Sequence, residues 1–264
     1  MKSRILVDSC VLLAASVFVS SKDINEEEPL KHHFYEECKD LFTFMQKNMA
    51  KRIGIITATI ESEAFGVLDK VIEGELRRRG VSRSENFEVF SCVFNICDIK
   101  MRQLIGTLQR EPVDAVDVAI KFTMVRKLYD EMEKKARSLP NIAEAKEQAV
   151  PKGLKGALNW WKLYINQDRF IHSQILNLLK NPVDSDDLMI LAEAIHLKMI
   201  YISTEGKGGN LFIASKDRHF VPVRKKRSTY EGREITDEIY NRFGIICEHP
   251  QKVKEQFIAE KSAK

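Results

Sequence analysis

Met1-Lys2-Ser3-Arg4-Ile5-Leu6-Val7-Asp8-Ser9-Cys10-Val11-Leu12-Leu13-Ala14-Ala15-Ser16-Val17-Phe18-Val19-Ser20 opens the chain, and Asp8 stands in the middle of its apolar run. A basic start before apolar residues is also the layout of a secretory leader. Desolvating an ionised carboxylate costs on the order of several kcal/mol, and a leader has no means of offsetting it. No small-residue cleavage site precedes the acidic stretch 23–28 either. The spacing instead predicts a buried strand over 4–8, ending on Asp8, with a helix starting near Ser9 or Cys10. The acid then stands at the C-terminal tip of a parallel strand, where open α/β sheets place their ligand sites.

The whole chain fits that reading. Its 264 residues can bury a core in one large domain or two small ones. With 30% charged and 44% hydrophobic residues it has a soluble, globular balance. No apolar run reaches the roughly 18 residues that a membrane span needs, so a membrane is not expected as a partner. A net charge of +4 permits an anionic partner without requiring one. Cys10, Cys38, Cys92, Cys97 and Cys247 are scattered, with no CxxC pair, which argues against a thiolate zinc site. They read as small core residues in a reducing compartment, so a cytoplasmic protein is expected.

Residues 1–72 and 182–250 both carry α/β character. In the first region a second strand is predicted over 52–57, with helices near 33–50 and from Thr59 onward. In the second, Asp186–Leu197 reads as a helix. Met199-Ile200-Tyr201-Ile202, Leu211–Ala214 and Ile245-Ile246-Cys247 read as strands. Strands alternating with helices predict a parallel, doubly wound, three-layer Rossmann-like sheet. Between these regions, over 73–181, apolar residues recur at three and four positions. That stretch is expected to be a helical insertion, broken near Gly80, Pro112, Pro140 and 151–156. Residues 251–264 form a C-terminal tail or helix.

Four acids then occupy comparable places at strand ends or helix starts: Asp8, Glu63, Asp187 and Asp217. In a doubly wound sheet such places lie along one edge, so acids far apart in sequence converge. Clustered carboxylates repel one another, and a hard divalent cation is their natural neutraliser. Oxygen donors without cysteine favour Mg²⁺ or Mn²⁺, and the implied chemistry is metal-assisted hydrolysis of a phosphodiester. Physics alone does not separate Glu61 from Glu63. Asp184 and Asp186 fit helix capping or loop solvation as well as ligand duty.

At these residues the chain resembles the PIN-domain nucleases. The four stretches that carry the likeness are Ile5-Leu6-Val7-Asp8-Ser9, Ile56-Thr57 through Glu63-Ala64, Asp187-Leu188-Met189-Ile190-Leu191-Ala192, and Ser215-Lys216-Asp217-Arg218-His219-Phe220. Their order and placement carry it, over about 1–72 and 182–250. The resemblance implies a PIN-like fold, a metal-dependent endoribonuclease, and Glu63 rather than Glu61 as the second acid. It favours Asp187 as a ligand over a cap. Some members are toxins of toxin–antitoxin pairs, and others process ribosomal or messenger RNA. Two positions depart from the family pattern. Cys10 stands where Asn is frequent, and His219 stands where a further acid is frequent, which implies a weakly held second metal.

Several residues carry two readings. Ser9 and Ser215 could orient a carboxylate or only bond local turns. His219 reads as packing against its loop. Arg224-Lys225-Lys226-Arg227 could grip phosphates or be solvated surface, like Arg77-Arg78-Arg79. Trp160, Trp161 and Tyr164 could stack on bases or fill core. The main alternative to a nuclease is a catalytically weak or inactive PIN-fold module that binds RNA. An aspartyl phosphatase is disfavoured because Cys10 stands where that class places a second acid. A homodimer and an antitoxin or other protein partner remain open.

Overall fold

The opening apolar run divides at Asp8 into β1 (Arg4–Val7) and α1 (Ser9–Ser16). The computed structural model describes residues 2–24, 27–84, 86–138, 173–206, 209–223 and 231–262. After α1 come β2 (Phe18–Val19), α2 (Ser21–Ile24), β3 (Leu30–Lys31) and α3 (Tyr35–Lys47). They are followed by β4 (Gly54–Ile56), α4 (Ala58–Arg77), α5 (Phe87–Gly106), β5 (Gln109–Arg110) and α6 (Ala115–Arg137). The remaining elements are α7 (Gln174–Lys180), α8 (Ser185–Glu205), β6 (Leu211–Ala214), α9 (Glu234–Phe243), β7 (Ile246–Glu248) and α10 (Pro250–Ser262).

Five strands form one all-parallel sheet in the order β5–β4–β1–β6–β7. Helices flank it, as the burial of its strands requires: Ile5, Leu6, Val7, Ile55, Ile56 and all of β6 are fully buried. β2 and β3 form a separate antiparallel pair. From β1 the chain winds outward to β4 and β5, then returns to the other side for β6 and β7. The winding therefore reverses between β1 and β6, and the C-terminal ends of those strands border the crevice where such sheets bind ligands. Val7 is paired with Ala214, which puts Asp8 and Ser215 side by side just beyond the last rung.

The helices between β4 and α7 belong to the same core. α5 packs on α1 and α4, and α6 packs on α7 and α8. Within 73–181, expected to be wholly helical, β5 is a strand that extends the sheet from β4. Its two residues are polar and carry no apolar signature. Pro140, residues 151–156, Trp160, Trp161 and Tyr164 lie outside the described residues.

Met199–Ile202 is helical, contrary to the strand expected there, because α8 runs on to Glu205. Ala194, Leu197 and Tyr201 continue its buried stripe at helical spacing, while Met199 is 54% and Ile200 37% exposed. A central parallel strand would have buried both of those side chains. The stop comes at Gly206 (φ 76°), whose N–H bonds the Ile202 carbonyl.

The C-terminal stretch forms α10, fastened by aromatic contacts. Phe257 lies 6.0 Å, ring to ring, from Phe212 of β6 and 5.8 Å from Phe44 of α3. Phe257 is 2% exposed. Replacing it with alanine should lower the unfolding free energy by about 3–5 kcal/mol in urea titrations. Amide exchange should rise first in α10. A change below about 1 kcal/mol would show that α10 does not depend on this contact.

Candidate functional site

Asp8 ends β1 and caps α1: its Oδ1 accepts the Ser9 N–H at 2.7 Å. Its Oδ2 accepts the Ser215 hydroxyl at 2.5 Å and the Cys10 thiol at 3.0 Å. The Ser215 hydroxyl in turn accepts the Asp217 N–H at 2.8 Å. One serine oxygen thus ties the tip of β1 to the turn after β6. Burial pushes the Asp8 carboxyl above the usual range; the Cys10 and Ser215 bonds oppose this, and the charge of Asp217 adds to it.

Glu63 comes from the second turn of α4. Its Oε2 is buried and has no hydrogen-bond partner. Burial pushes this carboxyl up to about 7, with the charges of Asp8, Asp187 and Asp186 adding and a Ser9 hydrogen bond opposing. Glu61 is directed elsewhere, to Arg110 of β5 at 2.6 Å. The helical positions of the two glutamates explain the split: two residues apart, they face different sides of α4.

Asp187 stands in the first turn of α8, held there by Asp184. The Asp184 Oδ1 accepts the N–H groups of Asp186 (3.0 Å) and Asp187 (2.9 Å), so Asp184 is the N-cap. Asp186 is exposed, at the rim. Burial pushes the Asp187 carboxyl up to about 7, the charges of Asp217 and Asp8 add, and a bond from His219 opposes. For Asp217 burial raises the carboxyl, but the His219 contacts outweigh it and leave it below the usual range. Asp8 and Asp187 thus feel the charge of Asp217, Asp187 feels that of Asp8, and Glu63 feels those of Asp8 and Asp187, all at the switch point between β1 and β6.

The sequence reading missed the centre of this arrangement. His219 does not merely pack on its loop. Its Nδ1 lies 2.7 Å from Asp187 Oδ2 and 3.0 Å from Asp217 Oδ1, and its Nε2 lies 2.8 Å from the Asn181 carbonyl. Burial alone would lower its pKa, but the contacts with Asp187 and Asp217 prevail and carry it to about 10. Asp187, Asp217 and His219 offer donor atoms within 4.8 Å of one another. His32, His33 and Glu75 do so as well. There, however, Arg78 already pairs with Glu75 at 2.7 Å, and His32 Nδ1 accepts the Phe34 N–H at 3.2 Å.

A cleft of about 560 Å³ opens beside the acids, lined by Ala58, Thr59, Ser62, Glu63, Gly66, Val67 and Asp186. Arg224, Lys225, Lys226 and Arg227 lie outside the described residues. Arg77, Arg78 and Arg79 are surface groups, as expected: Arg77 and Arg78, 77% and 62% exposed, pair with Glu73 and Glu75, and Arg79 bonds the carbonyls of Glu28 and Pro29.

A further acid, Glu193 on α8, lies behind the site. It is 2% exposed and accepts the Thr59 hydroxyl at 2.5 Å, tying the first turn of α4 to α8. The sequence signal was there, since Glu193 is the one charge in the run 188–195. Burial raises its carboxyl, opposed by Thr57, Thr59 and His196. An acid held above its unfolded value takes up protons on folding, so its favourable contribution exists at low pH and fades as pH climbs through the raised value. Glu193→Gln keeps the acceptor for Thr59 and removes the charge. It should melt higher than the parent at pH 8, with the advantage vanishing near the pH where an unfolded glutamate titrates. Parallel melting curves for the two proteins across that range would refute this account.

No protein-family model, curated protein or solved structure matches this chain.

Proposed function

We propose that the chain is a PIN-like, metal-dependent endoribonuclease that hydrolyses RNA phosphodiester bonds. The observation that supports this best is the gathering of Asp8, Glu63, Asp187 and Asp217 at the switch point, with Glu63 Oε2 buried and unpaired. An all-oxygen set of mutually repelling carboxylates fits Mg²⁺ or Mn²⁺. Asp8, Glu63, Asp187 and Asp217 would hold the ion. When bound, it would supply Lewis-acid chemistry, acidifying water and stabilising charge on the leaving oxygen.

The chain's own residues provide the rest. Ser215 keeps Asp8 against the Asp217 turn, and Asp184 fixes the first turn of α8 so that Asp187 faces inward. The apolar walls of β1 and β6 exclude water behind the carboxylates, which strengthens every electrostatic interaction in front of them. The cleft along α4 receives the RNA strand. Its acids, Glu63 and Asp186, would repel phosphate unless cations accompany it, so RNA binding here depends on the metal. The five free cysteines support a reducing, cytoplasmic setting. Among the described residues, no helix is long and apolar enough to cross a membrane.

A second reading, an RNA-binding module with little or no activity, is favoured by His219 standing where a further acid is frequent. Incubation with single-stranded RNA and Mn²⁺ separates the two. The nuclease should cleave RNA, stop on chelation, and lose about 10²–10³-fold in kcat with Asp8→Asn or Glu63→Gln. Glu61→Gln should stay active. RNA binding that ignores both chelator and Asp8→Asn, with no cleavage, would select the second reading.

A further inference from the structure

We propose that the exposed face of α4 leads a single RNA strand from the acids to a nucleotide-binding groove at the far end of the helix. The path rests on the nuclease reading above, while the groove stands on its own chemistry. Residues three or four apart share a helix face, and Thr59, Ser62, Glu63 and Gly66 line the cleft beside the acids. The same face continues through the exposed Lys70 to Glu73 and Arg77. Those two line a second cleft, of about 510 Å³, together with Ser82, Arg83, Ser84 and Phe87. Arg77 lies about four helical turns, or about 21 Å, beyond Glu63.

The groove offers what a nucleotide requires. Phe87, the first residue of α5, is 64% exposed, and its ring is an open platform for a base. Two arginines face one acid in the lining. The Arg83 guanidinium lies 4.2 Å from the centre of the Phe90 ring, which fixes its plane. Asp69 and Glu73 stand 3.6 and 3.9 Å from its Nη1, too far for hydrogen bonds, so its fork of N–H donors is open to phosphate. Arg77 pairs with Glu73 at 2.7 Å. A pair so exposed contributes little to the fold, and a phosphate can compete for its guanidinium.

Beside the first cleft the helix is kept bare. Gly66 is exposed in the middle of α4, where glycine weakens a helix relative to alanine. A Cβ at that position would meet nothing within 4 Å among the described residues. The packing of the fold therefore gives no reason for glycine there, whereas a strand lying close against the helix backbone does.

Stopped-flow anisotropy of fluorescein-labelled decauridylate in Mn²⁺ reads binding to the full-length protein before any strand is cut. Phe87→Ala should weaken binding about tenfold without changing its salt dependence. Arg83→Gln should reduce the slope of log affinity against log salt by about 0.7. Gly66→Leu should melt higher than the parent and yet bind more weakly, a combination that damage to the fold does not produce. Unchanged affinity in all three variants would overturn the groove and leave the nuclease reading standing. The expected losses in a protein that cuts no RNA would remove the nuclease reading and keep the groove as an RNA site. Displacement of the decamer by polyglutamate as readily as by polyuridylate would mark a general polyanion site and overturn the assignment to RNA. No binding of decauridylate would overturn both readings.

Discussion

Negative charge gathered in a buried place is the constraint around which the rest of the molecule is arranged. Asp8 has to lie at the tip of β1, because the register that pairs Val7 with Ala214 leaves it nowhere else. The same register delivers Ser215, and through it Asp217, to the same spot. Neutralisation then comes in stages. The N–H at the start of α1 serves Asp8, and the positive end of α8 faces Asp187. The His219 ring spans Asp187 and Asp217. Glu63 Oε2 receives none of this.

This ordering explains why Cys10 is compatible with the site. Its thiol donates to Asp8 Oδ2 and accepts the Lys216 N–H at 3.2 Å. Burial and the neighbouring Asp8 charge hold the thiol well above its ordinary pKa, so it stays protonated and remains a donor. A small neutral donor two residues after Asp8 is what the carboxylate requires there.

The sequence made some of this visible and hid the rest for physical reasons. An acid in the apolar run at Asp8 has few explanations, so β1 and the site's edge could be read together. Leu211–Ala214 is a short, wholly apolar run between loops, and it reads as a buried strand. Met199–Ile202 does not divide so easily, since a few apolar residues suit either element. Only the packing of Tyr201 on α8's buried stripe decides for helix. β5 was hidden because its pairing depends on the open edge of β4, not on Gln109 and Arg110 themselves. His219 was hidden for a different reason. Its bonding partners are Asn181, Asp187 and Asp217, which local sequence around residue 219 cannot bring together.

The stretch between the two α/β regions takes part in the same electrostatics. Tyr129 of α6 fixes the His219 carbonyl, and the Asp114 N–H at the head of α6 bonds His196 of α8 at 3.3 Å. α6 therefore grips both the turn that carries His219 and the helix that carries Asp187. Without that grip, the ring and the carboxylate would be joined only by their own contact, across two separately anchored elements. A hydrogen bond of that kind is strong only while both partners are held in a dry, rigid setting. α6 is thus what holds the turn after β6 against the first turns of α8.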